Sequence, residues 1–372
     1  MLRLLYVALT ENDQVRGVER YALELVRALA THHGDTVQVT LLCGEWQSYF
    51  RALEPLGVTI AIAPCRNTRR SRHLFLLTRL RSYSGEFDLV HYGNLMPVAM
   101  PNRVPSTMTI HDVAEYAIAR KYSLGQRTYR RMVGWLASRI VKHVLTDSNF
   151  SRSEIGRYLG INAARVTVVY PGVDHFRRRA ESSSIPALPE RYFLYYGVLE
   201  ETKGADTAIL AFNALRDDAL ARNVGLVLIG RPGNAYERLK HLIDGTRIVH
   251  YGHLPDAVLQ ECVKRALAVV FVSRYEGFGL PAVESYMLND NVIASSGNAV
   301  GEITRGFAWQ VDEDSIDAVA GAMRALLAGK SAPRTLERQQ VLEQFAWRGT
   351  ALQALAIFAT YARPRSIREF TA

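Results

Sequence analysis

Residues 268–284 read AVVFVSRYEGFGLPAVE: an apolar run, a turn with two glycines, and a helix start with a proline in its first turn. Proline is tolerated there because the N–H that it lacks would have no partner within the helix. Gly277 and Gly279 let the backbone approach a ligand closely, and N–H groups near Leu280 to Val283 at a helix start attract anions. This stretch therefore predicts a Rossmann-like α/β unit with a diphosphate site at the turn.

Two acids bracket this turn. Glu276 lies on the turn and Glu284 about one turn into the helix, with seven residues between them. A carboxylate can accept two hydrogen bonds from a vicinal diol, so one acid suits a ribose and the other a sugar. Paired acids are also typical of glycoside hydrolysis, and an acid at a helix start can simply complement the helix dipole.

The same alternation of β-rich runs and amphipathic helical stretches continues through the chain, which predicts parallel sheets with right-handed crossovers. With 372 residues the chain exceeds one usual core, so we expect two domains. We predict an N-terminal domain over 1–175, a linker over 176–191, a second domain over 192–346 and a last helix over about 347–362. Predicted strands are 2–9, 37–43, 58–63, 88–92, 107–111, 144–146, 166–169, 192–196, 225–229, 248–251, 268–272 and 291–294.

The composition, 48% hydrophobic and 22% charged, is that of a globular protein. Residues 1–10 are predicted as a first strand rather than a signal peptide, and no stretch approaches the roughly 20 apolar residues that a spanning helix requires. The three cysteines lack metal-ligand spacing and favour a reducing compartment. We expect a cytoplasmic protein without a metal or other cofactor.

Positive charge is concentrated in the first half. Residues 1–180 hold 25 Lys+Arg against 14 Asp+Glu, whereas residues 181–372 hold 20 against 22. An anionic partner for the first half is one explanation, whether membrane surface, lipid-linked phosphate or nucleic acid, and a solvated face is the other. No nucleic-acid-binding motif is present, so we expect no nucleic acid partner. The first strand is not followed by Gly-x-Gly-x-x-Gly, which argues against a dinucleotide-dependent oxidoreductase.

The stretch around Glu276 resembles the Glu-x7-Glu signature of glycosyltransferase family 4, a family of retaining enzymes with the GT-B fold. Further segments are similar to family segments in the same order: Gly17-Val18-Glu19-Arg20, His111-Asp112, Ser148-Asn149-Phe150-Ser151, Tyr170-Pro171-Gly172-Val173-Asp174, Gly197-Val198-Leu199-Glu200-Glu201-Thr202-Lys203-Gly204, Gly297 with Glu302, and Phe345-Ala346-Trp347. The resemblance covers nearly the whole chain. It implies two Rossmann-like domains facing a cleft, with the last helix crossing back to the first domain.

By this resemblance, His111, Glu276 and Lys203 form the catalytic set, in which Lys203 neutralises the leaving diphosphate. The expected donor-binding residues are Gly17, Lys203, Gly230, Arg231, Gly277, Phe278, Gly279, Leu280 and Glu284. The resemblance implies that Glu284 binds the ribose hydroxyls and that Glu276 lies near the transferred sugar. The implied reaction moves a hexose or deoxyhexose from a nucleoside diphosphate sugar to a glycan or polyprenyl-diphosphate-linked acceptor in polysaccharide assembly. A mannose or rhamnose donor such as GDP-mannose is favoured, and UDP-glucose-type donors stay open.

One departure from the family pattern is Val198, which occupies the place of an arginine that would join Lys203. Arg231 and Arg274 are the candidate substitutes. Without a substitute, the alternative is a catalytically weak protein that binds sugar nucleotides.

The segment from Arg120 to Lys142 combines basic residues with apolar residues at helical spacing. A helix of this kind buries one stripe and presents a cationic face. We expect Arg127, Arg130 and Arg131 to contact an anionic membrane surface or the lipid-linked acceptor.

Overall fold

A computed structural model describes residues 1–97, 103–118, 124–178 and 185–364. The chain divides into two compact units: unit 1 comprises Met1–Gly172 and Phe345–Ala372, and unit 2 comprises Val173–Gln344. Part of the predicted linker, residues 179–184, lies outside the described residues.

Unit 1 contains one parallel sheet of seven strands. The strands are β1 (Leu2–Val7), β2 (Val37–Cys43), β3 (Thr59–Ile62), β4 (Leu89–Tyr92), β5 (Ser106–Thr109), β6 (His143–Thr146) and β7 (Val166–Val168). Their order across the sheet is β3-β2-β1-β4-β5-β6-β7, so the direction of winding reverses between β1 and β4. Ligands of doubly wound sheets bind beyond the carboxyl ends of the strands at such a reversal.

Six α-helices of the described residues connect the strands of this sheet. They are α1 (Gly17–His33), α2 (Arg69–Leu74), α3 (Leu80–Tyr83), α4 (Ala114–Ala117), α5 (Leu124–Ile140) and α6 (Asn149–Leu159). In α1, Tyr21, Leu25 and Leu29 are spaced four residues apart and are all buried, so one stripe of the helix packs on the sheet. The start of α6 is capped by Ser148, whose hydroxyl accepts a hydrogen bond from the N–H of Ser151.

A histidine is fully buried in the core of unit 1. His91 on β4 has Nδ1 at 2.9 Å from the Thr107 hydroxyl and Nε2 at 3.0 Å from the Thr109 hydroxyl. Its ring lies 4.7 Å from that of Phe358. Burial, assisted by the nearby charge of His111, lowers the pKa of His91 to about 3. The imidazole is therefore neutral in the folded protein at physiological pH.

We expect His91 to make unit 1 sensitive to acid. Between pH 6.5 and 3 the unfolded chain binds one more proton at His91 than the folded chain, so stability is lost as pH falls. The expected contribution is up to about 1.4 kcal/mol per pH unit. Urea unfolding between pH 7 and 4 should give a shallower pH dependence for His91→Gln than for the wild type. Equal slopes would show that His91 is not held neutral.

Unit 2 contains a second parallel sheet, of six strands. They are β8 (Arg191–Tyr196), β9 (Val224–Ile229), β10 (Ile248–Tyr251), β11 (Ala268–Phe271), β12 (Val292–Ser295) and β13 (Trp309–Val311). The order is β10-β9-β8-β11-β12-β13, with the winding reversal between β8 and β11. The strands β8, β9, β11 and β12 are almost wholly buried, as expected for strands covered on both faces.

The helices of unit 2 are α7 (Ala205–Asn213), α8 (Tyr236–Leu239), α9 (Asp256–Arg265), α10 (Leu280–Leu288), α11 (Ala299–Ile303), α12 (Ile316–Leu327) and α13 (Arg338–Gln344). Each of the longer helices follows a strand, so the unit is built from successive βα crossovers. The reversal between β8 and β11 places the loop before α7 and the loop before α10 side by side.

The last helix, α14 (Trp347–Tyr361), returns to unit 1 and packs on α1. Trp347 is buried and its ring lies 5.6 Å from that of Tyr21. Gly172 permits this packing, because a Cβ at that position would lie 2.3 Å from the backbone nitrogen of Trp347. The predicted α/β class, the two Rossmann-like sheets and the returning last helix are confirmed.

Candidate active site

Two loops meet at the winding reversal of unit 2, and they carry the predicted lysine and acid. The first, after β8, contains a short 3-10 turn, Glu201–Lys203, and the second follows β11. Lys203 Nζ lies 2.8 Å from Glu276 Oε1. The structure therefore brings together two residues that the sequence singled out from separate motifs.

Backbone contacts hold these loops against each other. The N–H of Arg274 and the hydroxyl of Ser273 each donate to the carbonyl oxygen of Thr202, both at 2.9 Å. Gly204, with φ +68°, directly precedes α7, and a Cβ there would lie 1.9 Å from the carbonyl oxygen of Val272. The close approach at Gly204 positions Lys203 beside the second loop.

The start of α10 has the expected glycine geometry. Gly279 precedes the helix with φ +93°, and a Cβ there would lie 2.7 Å from the side chain of Val300. The N–H of Ala282 donates to the Gly279 carbonyl oxygen at 3.0 Å, and Pro281 has no N–H. These two positions therefore offer no hydrogen-bond donor to an anion, contrary to the expectation that N–H groups from Leu280 to Val283 all point at a ligand.

Tyr196, the last residue of β8, braces this helix start. Its hydroxyl donates to the Pro281 carbonyl oxygen at 2.8 Å and lies 3.1 Å from the Ser285 hydroxyl oxygen. Burial, with a smaller effect from the charge of Glu284, raises the pKa of Tyr196 well above its ordinary value. The phenol thus stays a hydrogen-bond donor and fixes α10 on the sheet.

Glu284, the second predicted acid, has a buried partner that the sequence did not identify. His175 Nε2 lies 3.1 Å from Glu284 Oε1. His175 belongs to a short 3-10 turn, Asp174–Arg177, near the start of unit 2, and this turn packs on α10. Its only local signal is its position directly after the family-like segment that ends at Asp174.

The candidate cations differ in their surroundings. Arg274 is committed to structural contacts: its guanidinium donates to Asp206 at 2.8 and 3.2 Å, to Asp314 at 2.6 Å and to Thr207 at 2.9 Å. Burial opposes the charge, but the hydrogen bonds of Asp206 and Asp314 raise the pKa of Arg274. Arg231 is exposed.

Gly230 and Val198 lie in the loops after β9 and β8. Gly230 has φ +146°, and a Cβ there would lie 1.9 Å from the Gly197 carbonyl oxygen, so glycine is required for the two loops to approach. Val198, at the position of the family arginine, has an exposed side chain.

Unit 1 contains a cavity of about 280 Å³ at its winding reversal, between the segments that follow β1 and β4. Residues after β1 and β4, including Thr10, Glu19 and Asn94, contribute to its wall, together with Tyr129 and Val133 of α5. Glu19 is buried and accepts hydrogen bonds from the Thr10 hydroxyl at 2.6 Å and from the Asn12 amide at 2.8 Å. The polar wall and the volume suit a sugar ring.

Gly17 is the first residue of α1, close to this cavity. A Cβ added to Gly17 would meet no atom within 4 Å in the described structure. Packing among the described residues of unit 1 therefore does not require glycine here.

His111 lies at the carboxyl end of β5, and both of its ring nitrogens face acceptors. Nδ1 is 2.7 Å from Asp147 Oδ2, and Nε2 is 3.1 Å from the Gly93 carbonyl oxygen. The Gly93 carbonyl can only accept, so Nε2 is the nitrogen that donates to it. Burial acts to lower the pKa of His111, but the charge and hydrogen bond of Asp147 outweigh it and raise the pKa. Burial also raises the pKa of Asp147, which is a partner of His111 that the sequence did not reveal.

The predicted basic helix is α5, in which Arg131 is exposed. The side chains of Arg127 and Arg130 lie outside the described residues. No helix in the described ranges is both long and apolar enough to span a bilayer. Over the same ranges, no cluster of three or more His, Cys, Asp or Glu side chains is arranged to hold a metal ion.

Comparison with known proteins gives two family matches in series. A model described as Glycosyltransferase Family 4 matches residues 15–177, and one described as Glycosyl transferases group 1 matches residues 177–342. O-antigen chain mannosyltransferase B of Escherichia coli is 26% identical over 367 residues, covering 91% of this chain and 94% of the relative. O-antigen chain mannosyltransferase RfbU of Salmonella typhimurium is 23% identical, covering 80% of this chain and 83% of the relative.

Among solved structures, sucrose-phosphate synthase from Thermosynechococcus elongatus superposes with a TM-score of 0.74 at 18% identity, covering 97% of this chain and 99% of that one. At this identity the likeness establishes the fold and leaves the substrate open. The seven-strand and six-strand sheets in series are thus those of the GT-B fold.

Proposed function

The chain is a family 4 glycosyltransferase, and we propose that it is a retaining, metal-independent mannosyltransferase that uses a nucleoside diphosphate sugar, with GDP-mannose as the leading donor. The observation that carries the proposal is the pairing of Lys203 with Glu276 at the winding reversal of unit 2, beside the start of α10. The two relatives named as mannosyltransferases favour mannose over other hexoses. A deoxyhexose such as rhamnose remains the second choice of sugar.

Charge stabilisation of the leaving group supports this assignment. The departing diphosphate develops negative charge, which we propose Lys203 and the positive end of the α10 dipole stabilise. In a retaining transfer the acceptor oxygen bonds to the anomeric carbon on the face where the bond to the diphosphate oxygen breaks. The acceptor proton passes to a phosphate oxygen, so no protein base is required. Glu276 then orients Lys203 and lies near the transferred sugar.

The acceptor is proposed to be a glycan or a polyprenyl-diphosphate-linked sugar of polysaccharide assembly. The cavity of about 280 Å³ in unit 1 supports a sugar-sized acceptor group, since carboxylate and amide groups such as Glu19 and Asn94 can bond hydroxyls. His111, paired with Asp147 beside the same sheet end, is proposed to orient the donor sugar or the acceptor.

Thermal-shift measurements with UDP, GDP, ADP and dTDP test the donor, because a ligand of the folded state raises its melting temperature. We expect GDP to give the largest shift. Transfer of labelled mannose from GDP-mannose to polyprenyl-diphosphate-linked glycan should then proceed in the presence of EDTA. Binding without transfer would favour the catalytically weak binding protein that Val198 suggests, and no shift with any nucleotide would contradict the proposal.

We further propose that the enzyme works in the cytoplasm with α5 against the anionic inner face of the plasma membrane. The exposed positions Arg131, Met132, Trp135 and Arg139 lie on one face of α5, with Met132 59% and Trp135 47% exposed. The helix sequence contains no acid, and the Arg139 guanidinium lies 4.4 Å from the centre of the Trp135 ring. Apolar and cationic side chains on one face suit a lipid interface. Tyr129 and Val133 of the same helix line the proposed acceptor cavity. Contact of α5 with the membrane would therefore bring this cavity close to lipid-linked substrates.

Co-sedimentation with vesicles containing anionic lipid should show binding that Arg131→Glu combined with Trp135→Ala weakens by about tenfold, because each basic residue near the surface contributes about 1 kcal/mol. The matched control is Arg222→Glu, an exposed charge reversal in unit 2 that we expect to leave binding unchanged. Equal binding to neutral and anionic vesicles, or an equal loss with the control variant, would contradict membrane contact through α5.

A further inference from the structure

The pairing of His175 with Glu284 has no counterpart in the motifs of the sequence. His175 Nε2 lies 3.1 Å from Glu284 Oε1, with the two side chains 5% and 12% exposed. A carboxylate accepts hydrogen bonds and cannot donate when ionised, so the histidine Nε2–H is the donor. The contact is therefore directed, and it uses one of the two oxygens of Glu284.

The neighbouring hydroxyl groups are directed elsewhere. The Tyr196 hydroxyl donates to the Pro281 carbonyl oxygen, and the Ser285 hydroxyl bonds the same carbonyl at 2.6 Å. They fix the backbone of α10, whereas His175 acts on the Glu284 side chain itself. A glutamate side chain has three rotatable bonds, and fixing it before a ligand arrives removes part of the entropic cost of binding.

We propose that His175 is a positioning residue of the donor site, which holds one oxygen of Glu284 so that the other receives the ribose hydroxyls of the nucleotide. This inference rests on the proposed function, because it requires a nucleoside diphosphate in unit 2. The inference adds His175 to the residues of the donor site. His175 acts through Glu284 and belongs to the turn at the start of unit 2, Asp174–Arg177.

Nucleotides with and without the ribose diol test this role. The affinities of UDP, GDP and ADP are measured beside those of their 2′,3′-dideoxy forms, for the wild type, His175→Ala and His175→Gln. For the ribonucleotide that binds, we expect His175→Ala to weaken binding about tenfold, as for loss of a hydrogen bond to a charged group. The dideoxy form should bind the wild type weakly and lose no further affinity in His175→Ala. His175→Gln, which can place an N–H near the position of Nε2, should restore most of the ribonucleotide affinity.

The outcomes separate the two levels of the proposal. If His175→Ala weakens the ribonucleotide and its dideoxy form equally, or weakens neither, the positioning role is overturned while the proposed function stands. If no nucleoside diphosphate binds the wild type, the proposed function falls and the inference falls with it. Melting curves of His175→Gln establish that its affinities are those of a folded protein.

Discussion

Replacing Lys203 with methionine is expected to lower the transfer rate by about 10²–10³-fold, the range found when one preorganised group that stabilises transition-state charge is removed. The lysine is the cation next to Glu276, and Val198 leaves the position of the family arginine without charge. Methionine keeps the aliphatic stem and removes only the ammonium group. The measurement is kcat at saturating donor and acceptor.

The fold should survive this change. The backbone carbonyl of Lys203, which accepts from the Tyr195 hydroxyl at 3.3 Å, is retained in the variant, and the side chain is about one-third exposed. We therefore expect a nearly unchanged melting temperature. The control is Lys264→Met, which removes an exposed lysine paired with Glu261 and should leave kcat unchanged.

A double variant separates two causes of the lower transfer rate: loss of the ammonium group and repulsion of the diphosphate by Glu276. In Lys203→Met the carboxylate of Glu276 is left without its ammonium partner and would repel the diphosphate. Adding Glu276→Gln removes this repulsion, so the double variant should recover part of the activity. A single variant with wild-type kcat would show that Lys203 does not stabilise the leaving group.

Most of the sheet framework was predictable because buried parallel strands are short apolar runs. All twelve predicted strands are confirmed within a few residues at their ends. The strand that was missed, β13, has three residues, lies at the edge of its sheet and is only partly buried at Trp309 and Gln310. The equally short edge strand β7 was recognisable because Val166–Val169 is a run of β-branched residues, whereas β13 contains Gln310 and only one β-branched residue.

The site was predictable only as far as its chemistry lies in local motifs. Lys203, Glu276 and Gly279 stand in motifs, whereas His175 and Asp147 acquire their roles from contacts between residues far apart in the chain. No periodicity connects such pairs. Arg274 shows that a residue in the expected place can have another role. It follows β11, as expected of a residue that would replace the family arginine, but its guanidinium is paired with Asp206 and Asp314.

The second large effect is expected at Gly204, where alanine should both destabilise unit 2 and reduce transfer by about 100-fold or more. The left-handed conformation at φ +68° costs a side chain about 1–2 kcal/mol. In addition, a Cβ would lie 1.9 Å from the Val272 carbonyl oxygen, so the loop must move away from the end of β11. Overpacking of this kind adds about 1–3 kcal/mol. Displacement by about 1 Å is enough for the loss in rate, because Lys203 is the preceding residue.

Gly245→Ala separates the steric effect from the conformational one. Gly245 is also in unit 2 and has φ +74°, but a Cβ there would meet no atom within 4 Å in the described structure. Gly245→Ala should therefore show only the cost of the left-handed conformation, about 1–2 kcal/mol, with wild-type transfer. Thermal unfolding and kcat of the two variants are compared directly. Equal losses of stability would mean that the contact of Gly204 with Val272 does not position the Lys203 loop.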